Sequence, residues 1–96
     1  MHDEAAVEDG WRGFKELCRS AVREDRLEPL LELFLTMEER EDLALRFQLI
    51  KALLEGNHPQ REIAKELQVS ISKITRGSNA LKIIKPNFRE FLQAQM

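Results

Sequence analysis

Hydrophobic positions along the chain recur at helical spacing from one end to the other, and no stretch alternates with the period of a strand. From about Glu8 to Arg23 the apolar residues Trp11, Phe14, Leu17, Cys18, Ala21 and Val22 fall at i, i+3, i+6, i+7, i+10 and i+11, which predicts one amphipathic helix. Arg23 to Glu28 is a charged break. Pro29 suits the first turn of a second helix, where its missing N–H costs nothing. Leu30, Leu31, Leu33, Phe34 and Leu35 make that helix apolar nearly all round, so it is expected to be buried on most sides. Thr36-Met37-Glu38-Glu39 reads as a capping box opening a third helix. Leu43, Phe47, Ile50, Leu53 and Leu54 are its expected buried stripe, and Gly56 is its expected stop.

The pattern then changes scale. In Gln60–Asn79, Ile63, Ala64 and Leu67 mark one face of a short helix. A tight turn at Gln68 follows, and Ser70 is a good N-cap for a second helix that points Ile71, Ile74, Ala80 and Leu81 inward. Ala64 is small enough to let the two helices approach closely. Two short helices in this relation predict a helix-turn-helix, whose second helix enters the major groove of DNA. The turn position at Gln68 calls for φ > 0, at a cost of about 1 kcal/mol for a residue other than glycine. Pro86 starts a last helix with Phe88, Phe91 and Leu92 on one face.

The expected fold class is therefore all-α, with six helices and a helix-turn-helix motif. The domain reading is a flexible N-terminal arm over 1–9 and a single helical domain over 10–96. Within that domain, 10–56 supplies core helices, 59–83 the helix-turn-helix and 86–96 a final core helix. The apolar stripes exceed what a small monomeric core can bury, so an intertwined homodimer with a shared core is expected.

Charge sharpens the functional side. The net charge is only −2, but it is unevenly spread. Residues 1–56 carry 8 Lys and Arg against 14 Asp and Glu, whereas residues 57–85 carry 6 against 2. The one basic block coincides with the helix-turn-helix, where a phosphate backbone would lie. Gln60, Arg61 and Lys65 face outward from its first helix, and Ser72, Lys73, Thr75 and Arg76 from its second. These are donors for phosphates and base edges. A helical hairpin that only packs is the plainer alternative.

Composition excludes other classes. At 43% apolar and 33% charged residues the chain is globular rather than disordered. No apolar run approaches the ~20 residues of a membrane span. Met1 to Asp9 is acidic and polar, so it does not read as a signal peptide. Cys18 is the only cysteine and has no internal disulfide partner, which fits a reducing cytoplasm. It reads as a small hydrophobe on an apolar face. The acidic cluster Glu38, Glu39, Glu41 and Asp42 reads as a favourable helix N-terminus rather than a metal or acid–base site. With two distant histidines, no phosphate loop and no metal-ligand spacing, an enzyme is the least favoured class.

Several strings together resemble one family. They are Leu30–Glu41, Leu53-Leu54-Glu55-Gly56, Gln60-Arg61-Glu62 and, most specifically, Ile74-Thr75-Arg76-Gly77-Ser78-Asn79. The chain resembles the bacterial tryptophan repressor without gaps from about Trp11 to Leu92. The resemblance implies an intertwined all-helical dimer that binds L-tryptophan as corepressor, needs no other cofactor, and then binds double-stranded operator DNA. It implies that Arg46 and Arg76 sandwich the indole and that Arg76 meets the ligand carboxylate. The carbonyls of Leu33 and Leu35 are then expected at the ammonium, with Thr36 beside them and Gly77 leaving room for the ring. Gln60, Arg61, Ser72, Lys73, Thr75 and Lys82 match the family's DNA-contact positions. Planar guanidinium groups suit both roles, stacking on an aromatic face and pairing with a carboxylate.

Two positions depart from the family pattern. Ala80 stands where a serine hydroxyl is usual, and Pro59 where a capping hydroxyl is usual. The rival functions are a DNA-binding regulator that needs no corepressor or senses another ligand, and a helical protein–protein module. Tryptophan biosynthesis or uptake genes are the expected targets of the favoured reading, and the cytoplasm its expected location.

Overall fold

A computed structural model describes residues 1–96 as six α-helices and no strand. They are α1 (Glu4–Arg23), α2 (Leu27–Phe34), α3 (Met37–Glu55), α4 (Gln60–Leu67), α5 (Ile71–Ile83) and α6 (Pro86–Gln95). The chain divides into two compact units, Met1–Glu38 and Glu39–Met96.

In the first unit α1 begins at Glu4, earlier than the apolar period predicts. The reason is local. Asp3 is an N-cap whose carboxylate accepts a hydrogen bond from the Ala5 N–H at 3.0 Å, and Ala5 and Ala6 are strong helix formers. Residues 4–9, taken from the sequence as part of an arm, are thus helical. At the other end Asp25 adopts φ +57. The Arg26 N–H donates to the Ala21 carbonyl at 2.7 Å and the Asp25 N–H to Val22 at 3.2 Å, the paired bonds of a Schellman stop. The helix therefore ends inside the charged break. Phe14 sits 5.2 Å from Phe34 between ring centroids, with the rings tilted by 58°, which joins α1 to α2.

The all-round burial expected of α2 is not met within one chain. Leu30 and Leu31 are half-buried, but Leu33 is 79% exposed and Phe34 51%. Trp11 is likewise exposed, and Cys18 is half-buried. The first unit buries Ala21 alone. Its large side chains form faces, not a core.

The second unit has the core. Leu49 from α3, Ile63 and Ala64 from α4 and Ile74 from α5 form one buried cluster, with Ile50, Ala52, Leu53, Leu67 and Val69 packed around it. Ile74 has no exposed surface. Removing it from water is worth about 1.5–3 kcal/mol. Here the predicted α3 stripe is corrected. Leu43 and Phe47 are about half exposed, while Leu49, which the stripe omits, is buried. The helix has apolar residues on two sides, and one chain buries only the side that faces α4 and α5. Ile71, expected inside, is 53% exposed, because it opens α5 beyond the reach of the cluster.

The links in this unit follow the sequence closely. Gly56 stops α3 at φ +69, and its N–H donates to the Ala52 carbonyl at 3.2 Å. Gln68 takes the left-handed conformation, φ 55 and ψ 44. The Val69 N–H then donates to Ala64 at 3.1 Å and the Gln68 N–H to Lys65 at 3.3 Å, closing α4 with a second Schellman stop. Ser70 caps α5 by accepting from the Lys73 N–H. Pro59 stands at the N-cap of α4 and offers no side-chain acceptor. Its carbonyl accepts from the Glu62 and Ile63 N–H groups instead.

Candidate functional site

The second unit contains a cleft of about 410 Å³ between α3 and α5. That volume lies in the range of small-molecule sites. On the α3 wall stand Asp42, Leu45, Arg46, Leu49 and Ile50; on the α5 wall stand Lys73, Arg76, Gly77 and Ala80, with Val69 from the preceding turn. Each set follows helical periodicity. Positions 42, 45, 46, 49 and 50 share one face of α3, and positions 73, 76, 77 and 80 share one face of α5. The floor is apolar and the rim carries three cations and one carboxylate.

Gly77 explains how the walls come so close. A Cβ built there would lie 2.5 Å from Leu49 Cδ2, 3.4 Å from Leu53 Cδ1 and 3.8 Å from Ile50 Cδ1. Normal carbon contacts are about 3.5–4.0 Å. Glycine is thus needed for the approach of α5 to α3, in addition to any room it leaves for a ligand. It sits inside a helix, so conformational freedom is not what it supplies.

Of the residues expected around a ligand, Arg46, Arg76 and Gly77 line this one cleft. Leu33, Leu35 and Thr36 belong to the first unit, and the cleft draws its walls from the second alone. Leu33 is the next-to-last residue of α2, and its side chain is exposed. Leu35 is the C-cap, its N–H donating to the Leu31 carbonyl at 2.9 Å. Thr36 immediately precedes α3.

Among the expected DNA contacts, Arg61, Ser72, Thr75 and Lys82 are exposed. Gln60, at the start of α4, is tied to α5, since its Nε2 donates to Ser78 Oγ at 3.4 Å. Lys73 belongs to two groups. It was expected to face DNA, and it also lines the cleft. A second, smaller recess is lined in part by His58, Gln60, Ser78, Lys82 and Arg89. Arg89 is held there by donating from Nη1 to the Leu81 carbonyl at 3.2 Å.

Sequence reasoning missed Asp42, Leu45 and Lys73 as cleft residues. The signal was available in the spacing. Asp42 stands four residues before Arg46 and Lys73 three before Arg76, which puts each on the face of its arginine, and Leu45 stands three after Asp42 and four before Leu49 on the same side of α3.

The fold and the cleft define a class: a small all-helical chain whose basic helix pair, α4 and α5, shares a helix with a ligand-sized recess. The comparison with known proteins is specific. The model of the Trp repressor protein family matches residues 9–96. A Trp operon repressor homolog of Chlamydia trachomatis serovar D is 52% identical over 93% of this chain and 95% of its own length. Homologs of the same description from Actinobacillus succinogenes and Haemophilus influenzae strain PittEE are 42% and 36% identical, over 92% and 90% of this chain and 87% and 85% of their own lengths. This chain belongs to the Trp repressor family, a family of transcription regulators and not of enzymes. No helix is long and apolar enough to cross a membrane.

Proposed function

We propose that the protein is an L-tryptophan-activated transcriptional repressor that binds operator DNA as a dimer. The observation that carries the reading is the cleft itself. Arg46 on α3 and Arg76 on α5 line one recess with an apolar floor, and α5 is also the helix that carries the exposed Ser72 and Thr75. Two guanidinium groups on opposite walls suit a flat aromatic ring with an attached carboxylate. Gln60, Arg61, Ser72, Lys73, Thr75 and Lys82 would then meet the duplex, with α5 as the helix that enters the major groove. The family resemblance would add Leu33, Leu35 and Thr36 to the ligand-binding residues.

The exposed apolar faces support the dimer. Leu33, Phe34, Phe47, Phe88 and Phe91 each leave about half or more of their surface in water. Phe88 and Phe91 stack on one another at 6.0 Å on α6, each about half exposed. A second copy would cover such faces and set two recognition helices about 34 Å apart, one turn of DNA.

The test is calorimetric titration of the purified protein with L-tryptophan, with L-phenylalanine as control, followed by selection of duplexes from a random pool with and without tryptophan. Selective binding of one tryptophan per chain is expected, with tryptophan-dependent recovery of a two-fold symmetric site. No binding at millimolar tryptophan would remove the corepressor. Equal DNA selection without it would point to a constitutive regulator.

A further inference from the structure

The smaller recess, bordered by α4, α5 and α6, holds about 270 Å³ and lies wholly within the second unit. Its polar lining is His58, Gln60, Ser78, Lys82 and Arg89, beside the apolar Leu53 and Leu81. Each of these polar side chains can donate a hydrogen bond, and none is a carboxylate. The chain carries 17 Asp and Glu, so acids were available to balance the recess. The neighbouring recess along α3 and α4 shares His58 but mixes Lys51 with Glu55 and Glu66. Glu62 comes within 3.9 Å of His58 Nδ1 from outside the donor lining. Lys82 and Arg89 have no ion-pair partner within 4 Å. Arg89 is half-buried, and its Nη1 donates to the Leu81 carbonyl at 3.2 Å. That bond anchors the guanidinium and uses only part of its donors.

Two cations lining one recess repel each other, and an anion between them turns that cost into attraction. We propose that this recess seats a phosphate of the operator backbone, held by Arg89 together with Lys82, Gln60 and Ser78. The inference rests on the DNA reading above and extends the interface from the helix-turn-helix to α6. Gln60 and Lys82 already belong to the expected DNA contacts, and they line the same recess as Arg89. The planar fork of a guanidinium suits a phosphate, and one fixed bond lowers the freedom it loses on binding. Ser78 Oγ accepts from Gln60 at 3.4 Å, which leaves its own O–H to donate. The rival account makes Arg89 a staple that fastens α6 to α5 through Leu81 and never meets DNA. A staple leaves the salt dependence of DNA binding unchanged, whereas a phosphate contact adds to it.

The test uses the full chain and the duplex recovered by tryptophan-dependent selection. Wild type, Arg89→Gln and Arg89→Lys are compared by gel shift over a range of salt at saturating tryptophan. Thermal melts and calorimetry with tryptophan alone check the fold and the cleft separately. In Arg89→Gln, duplex affinity should fall about three- to thirtyfold, and the slope of log affinity against log salt should become shallower by about 1 for each chain bound. Arg89→Lys keeps the charge and should keep the slope. Tryptophan affinity without DNA should not change in either variant. In wild type the Arg89 Nε–H signal, followed by NMR, should shift when the duplex is added; an unmoved signal would overturn the seat even if a variant fails to fold. Weaker binding in Arg89→Gln with the wild-type slope would overturn it in favour of the staple. Inorganic phosphate that shifts the same signal, with full duplex affinity in Arg89→Gln, would make the recess a free-anion site and overturn the backbone assignment. A wild type that selects no duplex would overturn the DNA reading itself, whereas full duplex affinity and slope in Arg89→Gln would overturn only the role of Arg89.

Discussion

Gly77→Ala isolates the contact that sets the width of the cleft. Two effects oppose each other. Within α5, alanine is favoured over glycine by about 1 kcal/mol through helix propensity. Against that, the new Cβ would stand 2.5 Å from Leu49 Cδ2. Restoring an ordinary contact requires about 1 Å of movement. Leu49 is 4% exposed and belongs to the central cluster, so most directions are closed to it. The open direction is the cleft that it borders. Overpacking of this kind costs about 1–3 kcal/mol. The net expectation is a destabilisation of about 0–2 kcal/mol, together with a methyl-sized intrusion into the recess and weaker ligand binding.

The sign can be tested independently of the magnitude. Leu49→Ala alone should cost about 2–5 kcal/mol, because it empties a buried site. On that background the clash is gone, and Gly77→Ala should stabilise by the helix-propensity term of about 1 kcal/mol. Urea unfolding followed by helical circular dichroism, at fixed protein concentration, gives the four free energies of the cycle. Gly77→Ala with the same sign and size in both backgrounds would refute the close-approach argument. Leu49 would then be free to move, and the glycine would have no packing role.

The other predictions concern the turn and the two basic groups. Gln68→Gly should raise stability by about 0.5–1 kcal/mol, because φ 55 carries a penalty that glycine does not pay; a lower melting temperature would mean that the Gln68 side chain contributes more than its backbone costs. Arg76→Ala should weaken both tryptophan and operator binding, whereas Arg61→Ala should weaken only operator binding, read by calorimetry and gel shift on the same preparations. Loss of tryptophan binding in Arg61→Ala would contradict its outward position on α4. The slope of log affinity for DNA against log salt should also become shallower by about 1 in Arg61→Ala if it contacts one phosphate.

The helix pair was the most legible part of the sequence. Ile63, Ala64 and Ile74 are all buried, Gln68 is left-handed and Ser70 caps α5, as local patterning predicted. Each of these depends on neighbours within a few residues. The stripes on α2 and α3 were less legible for a physical reason. Periodicity shows that a face is apolar but not what covers it. Leu43 and Phe47 read as core and are half exposed in one chain, while Leu49, on the other apolar side of α3, is the residue that α3 contributes to the buried cluster. The start of α1 was misplaced because Glu4 to Glu8 contains little apolar signal, and its helix is set by the Asp3 cap. In the cleft, the two arginines and Gly77 came from resemblance. Asp42 and Leu45 needed the folded faces, because neither is unusual as a residue type.

Those faces give the proposed mechanism its physical content. Three sets of positions share α5. Ile74 and Leu81 are buried, Lys73, Arg76, Gly77 and Ala80 line the cleft, and Ser72 and Thr75 are exposed. A rigid helix cannot shift one face without the others. A ligand that fills the cleft would therefore set where Ser72 and Thr75 stand, and it could do so only through a difference in its affinity for the alternative positions of α5. The coupling is then reciprocal: operator DNA must tighten tryptophan by the same factor by which tryptophan tightens DNA. Lys73 lies on the boundary, on the cleft wall and among the expected DNA contacts. Lys73→Gln separates two ways of coupling. If the ligand acts through the position of α5, the substitution weakens each binding step and leaves their ratio unchanged. If the ligand carboxylate acts by orienting the Lys73 ammonium toward or away from phosphate, the ratio itself collapses toward one. Measuring tryptophan affinity with and without saturating operator, in wild type and in Lys73→Gln, decides between them. The close approach of α5 to α3 at Gly77, which leaves no room for a side chain beside Leu49, favours the first, because closely packed elements pass a displacement on to their neighbours.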